Sequence, residues 1–200
     1  NYIANTMSFI SENIYHLYNR SINKELLFQD ENDYLRFLEM TRKHLAGNCT
    51  ILGWCLMTNH FHFLIYTNEE SIQKRKVGGL DLQALQNGIR SLLSSYSKYY
   101  NFRYNRKGNL FQQKTKYKEV LDGGIQVLHY IHQNPWKAGV FTKMEEYVFS
   151  SFRDFIGMRK GTLCNIELAI KLLGIQRQSF FAESQTSVSN ETMMKLGLDS

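Results

Sequence analysis

The sequence predicts an α+β fold, a ferredoxin-like antiparallel sheet with helices on one face, extended by a tyrosine-bearing helix and a short C-terminal helical extension. Three observations lead there. Segments of strand length and of helical period follow one another as strand, helix, strand, strand, helix, strand, an order that suits such a sheet. A further helical segment comes directly after the last strand. Two hundred residues, 43% of them hydrophobic, suffice for one well-packed domain with a modest appendage and are too few for two enzymatic domains.

Residues 13 to 21, NIYHLYNRS, alternate β-branched and aromatic side chains and read as the first strand. Asp30 or Asn32 can cap a helix running to about Leu45, with Tyr34, Leu35, Phe37, Leu38, Thr41 and Leu45 as its stripe and Gly47 and Asn48 as its end. TILGWCLM and HFHFLIY, separated by Thr58 and Asn59, form a hairpin. Residues 67 to 79 are polar, with Lys74, Arg75 and Lys76 followed by Gly78 and Gly79, and read as a loop. Asp81 opens a long second helix carrying Leu82, Leu85, Ile89, Leu92, Leu93 and Tyr96, mostly at spacings of three and four. After a turn-rich basic segment to Gln113 comes a strand, TKYKEVL, and after Gly123 and Gly124 the helix IQVLHYIHQN, which Pro135 is expected to end. Residues 1–158 are expected to form the main domain, and 159–200 an extension with one amphipathic segment, NIELAIKLLG, and a loosely held polar tail.

Composition narrows the function. No apolar run approaches the roughly 20 residues that span a bilayer, and the first residues lack a signal-peptide pattern, so a soluble cytoplasmic protein without a membrane partner is expected. Cys49, Cys55 and Cys164 are odd in number and scattered, which fits reduced core thiols better than disulfides or a zinc site. The net charge of +6 is segregated: between Ser71 and Lys118 eleven Lys or Arg face one acid, Asp81, leaving the remainder at −4. Solubility requires no such segregation; a polyanionic partner does. Tyr96, Tyr99, Tyr100, Phe102, Tyr104, Phe111 and Tyr117 are interleaved with those charges, as base-stacking faces or as core residues.

Two spacings carry chemistry. In a strand, side chains two apart share a face, so His60 and His62 lie side by side while burial of Phe61, Phe63 and Ile65 turns both imidazoles to the other face. The pair can chelate an ion or serve as hydrogen-bonded strand histidines. On the helix, Tyr130 and Asn134 lie four apart on one side, able to address a common ion and phosphate or to pack as a buried tyrosine and its neighbour.

MTNHFHFLI around His60 and His62, then YIHQNPWKAGV from Tyr130, resemble the IS200-like transposase family, tyrosine transposases with an HUH motif, and within it the REP-associated branch. YHLYNRSINKELLF, GNLFQQKTKYKEV and FSSFRDF extend the resemblance over about residues 13 to 157. It implies a bacterial, DNA-associated enzyme that cuts and rejoins single-stranded or hairpin DNA through a 5′-phosphotyrosine. Tyr130 would be the nucleophile, and His60, His62 and Asn134 would be ligands of a divalent Mg²⁺ or Mn²⁺, with His129 or His132 able to replace Asn134. Trp136 stands where a smaller aliphatic residue is usual. Arg20, Arg103, Arg106, Lys107, Lys114, Lys116 and Lys118 are the expected DNA-binding cations, and the protein would act as a monomer or homodimer. The competing readings are a hairpin-binding regulator that does not cleave, an HUH nuclease of replication or plasmid transfer, and an RNA-binding module.

Overall fold

The hairpin of strands that carries both histidines lies at the centre of the architecture, in a computed structural model that describes residues 7–198. Strand β1 (Ile14–Arg20) pairs antiparallel with β3 (His60–Tyr66), β3 with β2 (Thr50–Met57), and β1 on its other side with β6 (Lys116–Glu119), giving the order β2-β3-β1-β6. Helices α1 (Glu31–Leu45) and α3 (Ala84–Arg103) cover one face. Asp30, the first of the two expected caps, accepts from Asp33 N to start α1.

Alternation of side chains divides the sheet into two cores. Tyr15, Leu17, Ile51, Trp54, Phe61, Phe63 and Ile65 pack with Phe37, Leu85, Ile89, Leu92 and Tyr96 of the two long helices. Each buried ring or branched chain contributes roughly 1.5–3 kcal/mol. A one-residue slip of β3 would turn Phe61 and Phe63 together out of this core and put His60 and His62 into it, and this cost fixes the side to which the imidazoles point.

The other face receives α4 (Gly124–Lys137), whose Val127, Leu128, Tyr130 and Ile131 pack on Leu52, Cys55, Met57 and Leu64. Gly53 permits the close approach: a Cβ there would fall 2.3 Å from Leu128 Cδ1. Gly53→Val should therefore destabilise the protein by about 1–3 kcal/mol in urea unfolding. Adding Leu128→Ala should return part of the loss.

Several expectations are corrected. Helix α4 does not stop before Pro135 but runs through it to Lys137, with Ala138 N donating to Asn134 O, and ends at Gly139, which adopts a left-handed φ of 67°. A proline in a helix forfeits a hydrogen bond, a cost of about 3 kcal/mol. Burial of α4 on two sides outweighs it. The polar stretch read as a loop holds a one-turn helix α2 (Glu69–Ile72), boxed by Asn68 and Ser71, and a hairpin of β4 (Lys74–Val77) and β5 (Leu80–Gln83). Asp81 lies in that hairpin opposite Lys76, and α3 begins at Ala84.

The tail expected to be loosely held is folded. After α5 (Phe152–Phe155) come α6 (Ile166–Leu173), α7 (Arg177–Ser184) and α8 (Asn190–Leu196). Helix α6 packs beside β2, and the segment from α7 on docks on the outer side of α4: Gln133 Nε2 donates to Ser184 O and Thr186 O at 3.0 and 2.7 Å, Lys137 Nζ donates to Val188 O, and Phe180 is buried against His129 and His132. Cys49 and Cys55 are free, buried thiols, and burial pushes Cys49 up to about 12. Among the described residues no helix is long and apolar enough to cross a membrane.

Candidate active site

Register brings the site together. Cross-strand partners share a face, and β3 pairs His62 with Tyr18 and His60 with Arg20, while β6 pairs Lys116 with Tyr18 and Lys118 with His16. His16, Tyr18, Arg20, His60, His62, Lys116 and Lys118 therefore occupy one surface of three adjacent strands. Tyr130 meets it from α4, its ring 5.8 Å from that of His62 and 6.0 Å from that of His16, edge-on to both. Arg20, Lys24, His60, His62, Tyr130, Asn134, Lys137 and Met193 line one cavity of 430 Å³.

The histidines are in the protonation state a metal needs. Burial holds His60 down to about 4, with Asn134 opposing and Arg20 adding to the shift. His62, buried beside His16, His60 and Arg20, lies well below the usual imidazole range. Both are neutral at pH 7. His60 Nδ1 is 2.7 Å from Asn59 Oδ1. A carbonyl oxygen only accepts, so this contact places the proton on Nδ1 and leaves Nε2 as the ring's acceptor nitrogen. His62 Nε2 is buried without a hydrogen-bond partner in the protein. Asn134 donates Nδ2 to Tyr130 O at 2.8 Å, and its side chain also hydrogen-bonds His60, so amide and imidazole stand side by side in the cavity. Among the described residues no three His, Cys, Asp or Glu side chains gather at one point. Two imidazoles and one amide side chain lining one cavity are donors that fit a divalent ion.

Helix α4 turns His129 and His132 away from this face. His132 Nε2 contacts Ser151 Oγ at 2.8 Å beside Phe152 and Phe155, and His129 Nδ1 contacts Ser184 Oγ at 3.0 Å. Neither replaces Asn134 in the cavity. Burial, then the charge of His129, lowers His132 to about 3. Its unfolded form takes up a proton below about pH 6.5 whereas the folded form does not, so stability is full above that value and falls with pH towards 3. The expected loss is about 1.4 kcal/mol per pH unit from this residue. Urea midpoints between pH 7.5 and 5 should show it, with a shallower slope in His132→Gln.

The basic segment is divided. Lys116 and Lys118 lie on the cavity face of β6, with Lys116 Nζ 5.7 Å from the Tyr18 ring centre, and Lys107 and Lys114 are exposed. Arg103 and Arg106 are instead bound within the protein. Arg103 pairs with Asp33 at 2.8 Å and with Asp30, and Arg106 pairs with Glu25 at 2.7 Å. Tyr99, Tyr104 and Gln29 N also donate to the buried Asp33, whose desolvation requires such partners. Tyr96, Tyr100 and Phe111 are core residues; Phe102 and Tyr117 retain exposed ring surface. Arg103→Gln should lower Tm in a thermal melt without altering DNA affinity.

Sequence reading missed His16, Lys24, Lys137 and Met193. Strand parity places His16 with Tyr18 and Arg20, but its contact with His62 depends on register. The other three arrive from a turn and from packed helices.

No protein-family model and no curated protein matches the chain. Among solved structures it is similar to one described as a REP-associated tyrosine transposase bound to a REP hairpin, with a TM-score of 0.55 and 13% identity, covering 76% of this chain and 83% of that one. The chain thus shares its mixed α+β fold with a hairpin-bound tyrosine transposase.

Proposed function

We propose that this protein is an HUH tyrosine transposase of the IS200-like, REP-associated kind that cuts and rejoins single-stranded, hairpin-containing DNA. The observation that carries the reading is the convergence of Tyr130, His60, His62 and Asn134 on one cavity bordered by Arg20 and Lys24. A divalent ion held by His60, His62 and Asn134 would neutralise charge on the non-bridging oxygens of the scissile phosphate.

Tyr130 supplies the nucleophile. Its phenol oxygen forms a bond to phosphorus, the bond from phosphorus to the 3′ oxygen breaks, and the phenol proton is replaced by one on the released 3′ hydroxyl. The product is a 5′-phosphotyrosine. Attack by a 3′ hydroxyl on that linkage reverses the change and rejoins DNA without ATP, because a phenoxide, with its phenol pKa near 10, leaves far more readily than an alkoxide. Fixed on α4 between the sheet and the C-terminal helices, Tyr130 is already oriented, which lowers the entropic cost of attack.

Arg20, Lys24, Lys116 and Lys118 hold the backbone on the cavity face. Four phosphates neutralised on a single strand give a log–log salt slope of about −3. Filter binding of a hairpin oligonucleotide between low and high salt checks it; a flat dependence contradicts this arrangement.

The decisive experiment incubates the protein with Mn²⁺ and labelled single-stranded DNA, duplex DNA or RNA, then separates the products under denaturing conditions. A covalent adduct with single-stranded DNA alone is expected. Binding without an adduct would replace this reading with that of a non-cleaving regulator.

A further inference from the structure

His16 lies on β1, outside the motifs that carry the resemblance in metal and nucleophile, yet it touches the site from behind. Its Nε2 is 2.9 Å from His62 Nδ1, the two rings lie within 19° of parallel, and both are buried. One proton occupies that contact. If His16 supplies it, the neutral His62 must carry its own proton on Nε2, pointing an N–H where a cation would bind. If His62 supplies it, Nε2 presents a lone pair.

We propose that His16 is the positioning residue of the metal centre, accepting the Nδ1 proton of His62 and so fixing the tautomer and ring orientation in which His62 Nε2 is a ligand. This rests on the metal-site reading above. Three observations support it. His60 is held in the same tautomer by Asn59 Oδ1 at 2.7 Å, so the two imidazoles would be matched through different partners. His62 Nε2 is buried and has no partner in the protein, the mark of an atom reserved for a ligand. His16 Nδ1, which must carry the remaining proton, is also without a protein partner, but its ring lines a second cavity of 190 Å³ with Lys118, Glu119 and Lys195, roomy enough for a bridging water. A metal-bound histidine ordinarily donates its other N–H to a carboxylate, carbonyl or water, and loss of that partner costs roughly 10- to 100-fold in affinity. Here a second imidazole takes that place.

The test is Mn²⁺ binding, read from the free-ion electron paramagnetic resonance signal, on the intact protein and on His62→Ala, His16→Leu and His16→Gln. Wild type should bind, His62→Ala should not, and His16→Leu should bind about 10- to 100-fold more weakly. His16→Gln, whose amide oxygen can accept, should recover much of the loss. Nitrogen chemical shifts of the metal-free wild type, which need no variant, should show His62 protonated on Nδ1. Wild-type affinity in His16→Leu, or His62 protonated on Nε2, overturns the role of His16 while leaving the metal site standing. No binding by wild type, or binding indifferent to His62→Ala, overturns the metal reading and this inference with it.

Discussion

Tyr130→Phe should yield no covalent protein–DNA product while still binding the same oligonucleotide. The substitution keeps the ring that packs edge-on against His16 and His62, so the cavity and its cations persist. What it removes is the oxygen proposed to form the bond to phosphorus. Tyr18 stands on the same sheet face, but strand geometry fixes it beside Lys116 and His62, on the sheet side rather than the α4 side of the cavity. Adduct yield should fall by more than about 10³-fold, equivalent to at least about 4 kcal/mol in the barrier. Thermal unfolding run in parallel should show a folded protein. An adduct of undiminished yield would assign the nucleophile elsewhere.

The second large effect is expected from the imidazoles. His60→Ala and His62→Ala should each reduce cleavage by about 10²–10³-fold, the scale seen when one group stabilising charge in a transition state is lost. The two differ in their structural consequences. His60 is partly exposed, and its removal leaves Asn59 free to turn to water. His62 is buried, and its removal strips His16 Nε2 of its only hydrogen-bond partner among the described residues, so a lower Tm should accompany the loss of activity. Single-turnover cleavage across a Mn²⁺ titration, with unfolding curves for both variants, checks the pair. Cleavage by His62→Ala at the wild-type rate would remove the ion from the reaction.

Local patterns made much of this architecture legible. Alternation in HFHFLIY placed both histidines opposite Phe61 and Phe63, and the four-residue spacing of Tyr130 and Asn134 put them on one side of α4, as found. The failures share a physical cause. Asp33 is an unremarkable helix residue in sequence, but once buried it draws Arg103, Tyr99 and Tyr104 across separations of 66 to 71 residues. Three members of the apparent DNA-binding stretch thereby became structural, and composition carries no trace of such long-range partners. Pro135 was read by a local rule, whereas packing of α4 between two layers overrode it. The C-terminal region was read from its average polarity; a few anchors, Phe180 and Leu198 among them, are enough to seat it.

The way α4 is covered also orders the life of a newly made chain. Gln133 and His129 find their partners at Ser184, Thr186 and Val188, 51 to 55 positions further on. A ribosome at 5–20 residues per second adds that length in roughly 3–10 seconds, during which the segment bearing Tyr130 has one finished side only. The outer cover of that helix is thus among the last parts of the fold to form. The strands that carry His60 and His62 complete their pairing with β1 before that cover arrives, so the helix that bears Tyr130 should be clamped from both sides only once residues beyond 180 have been made.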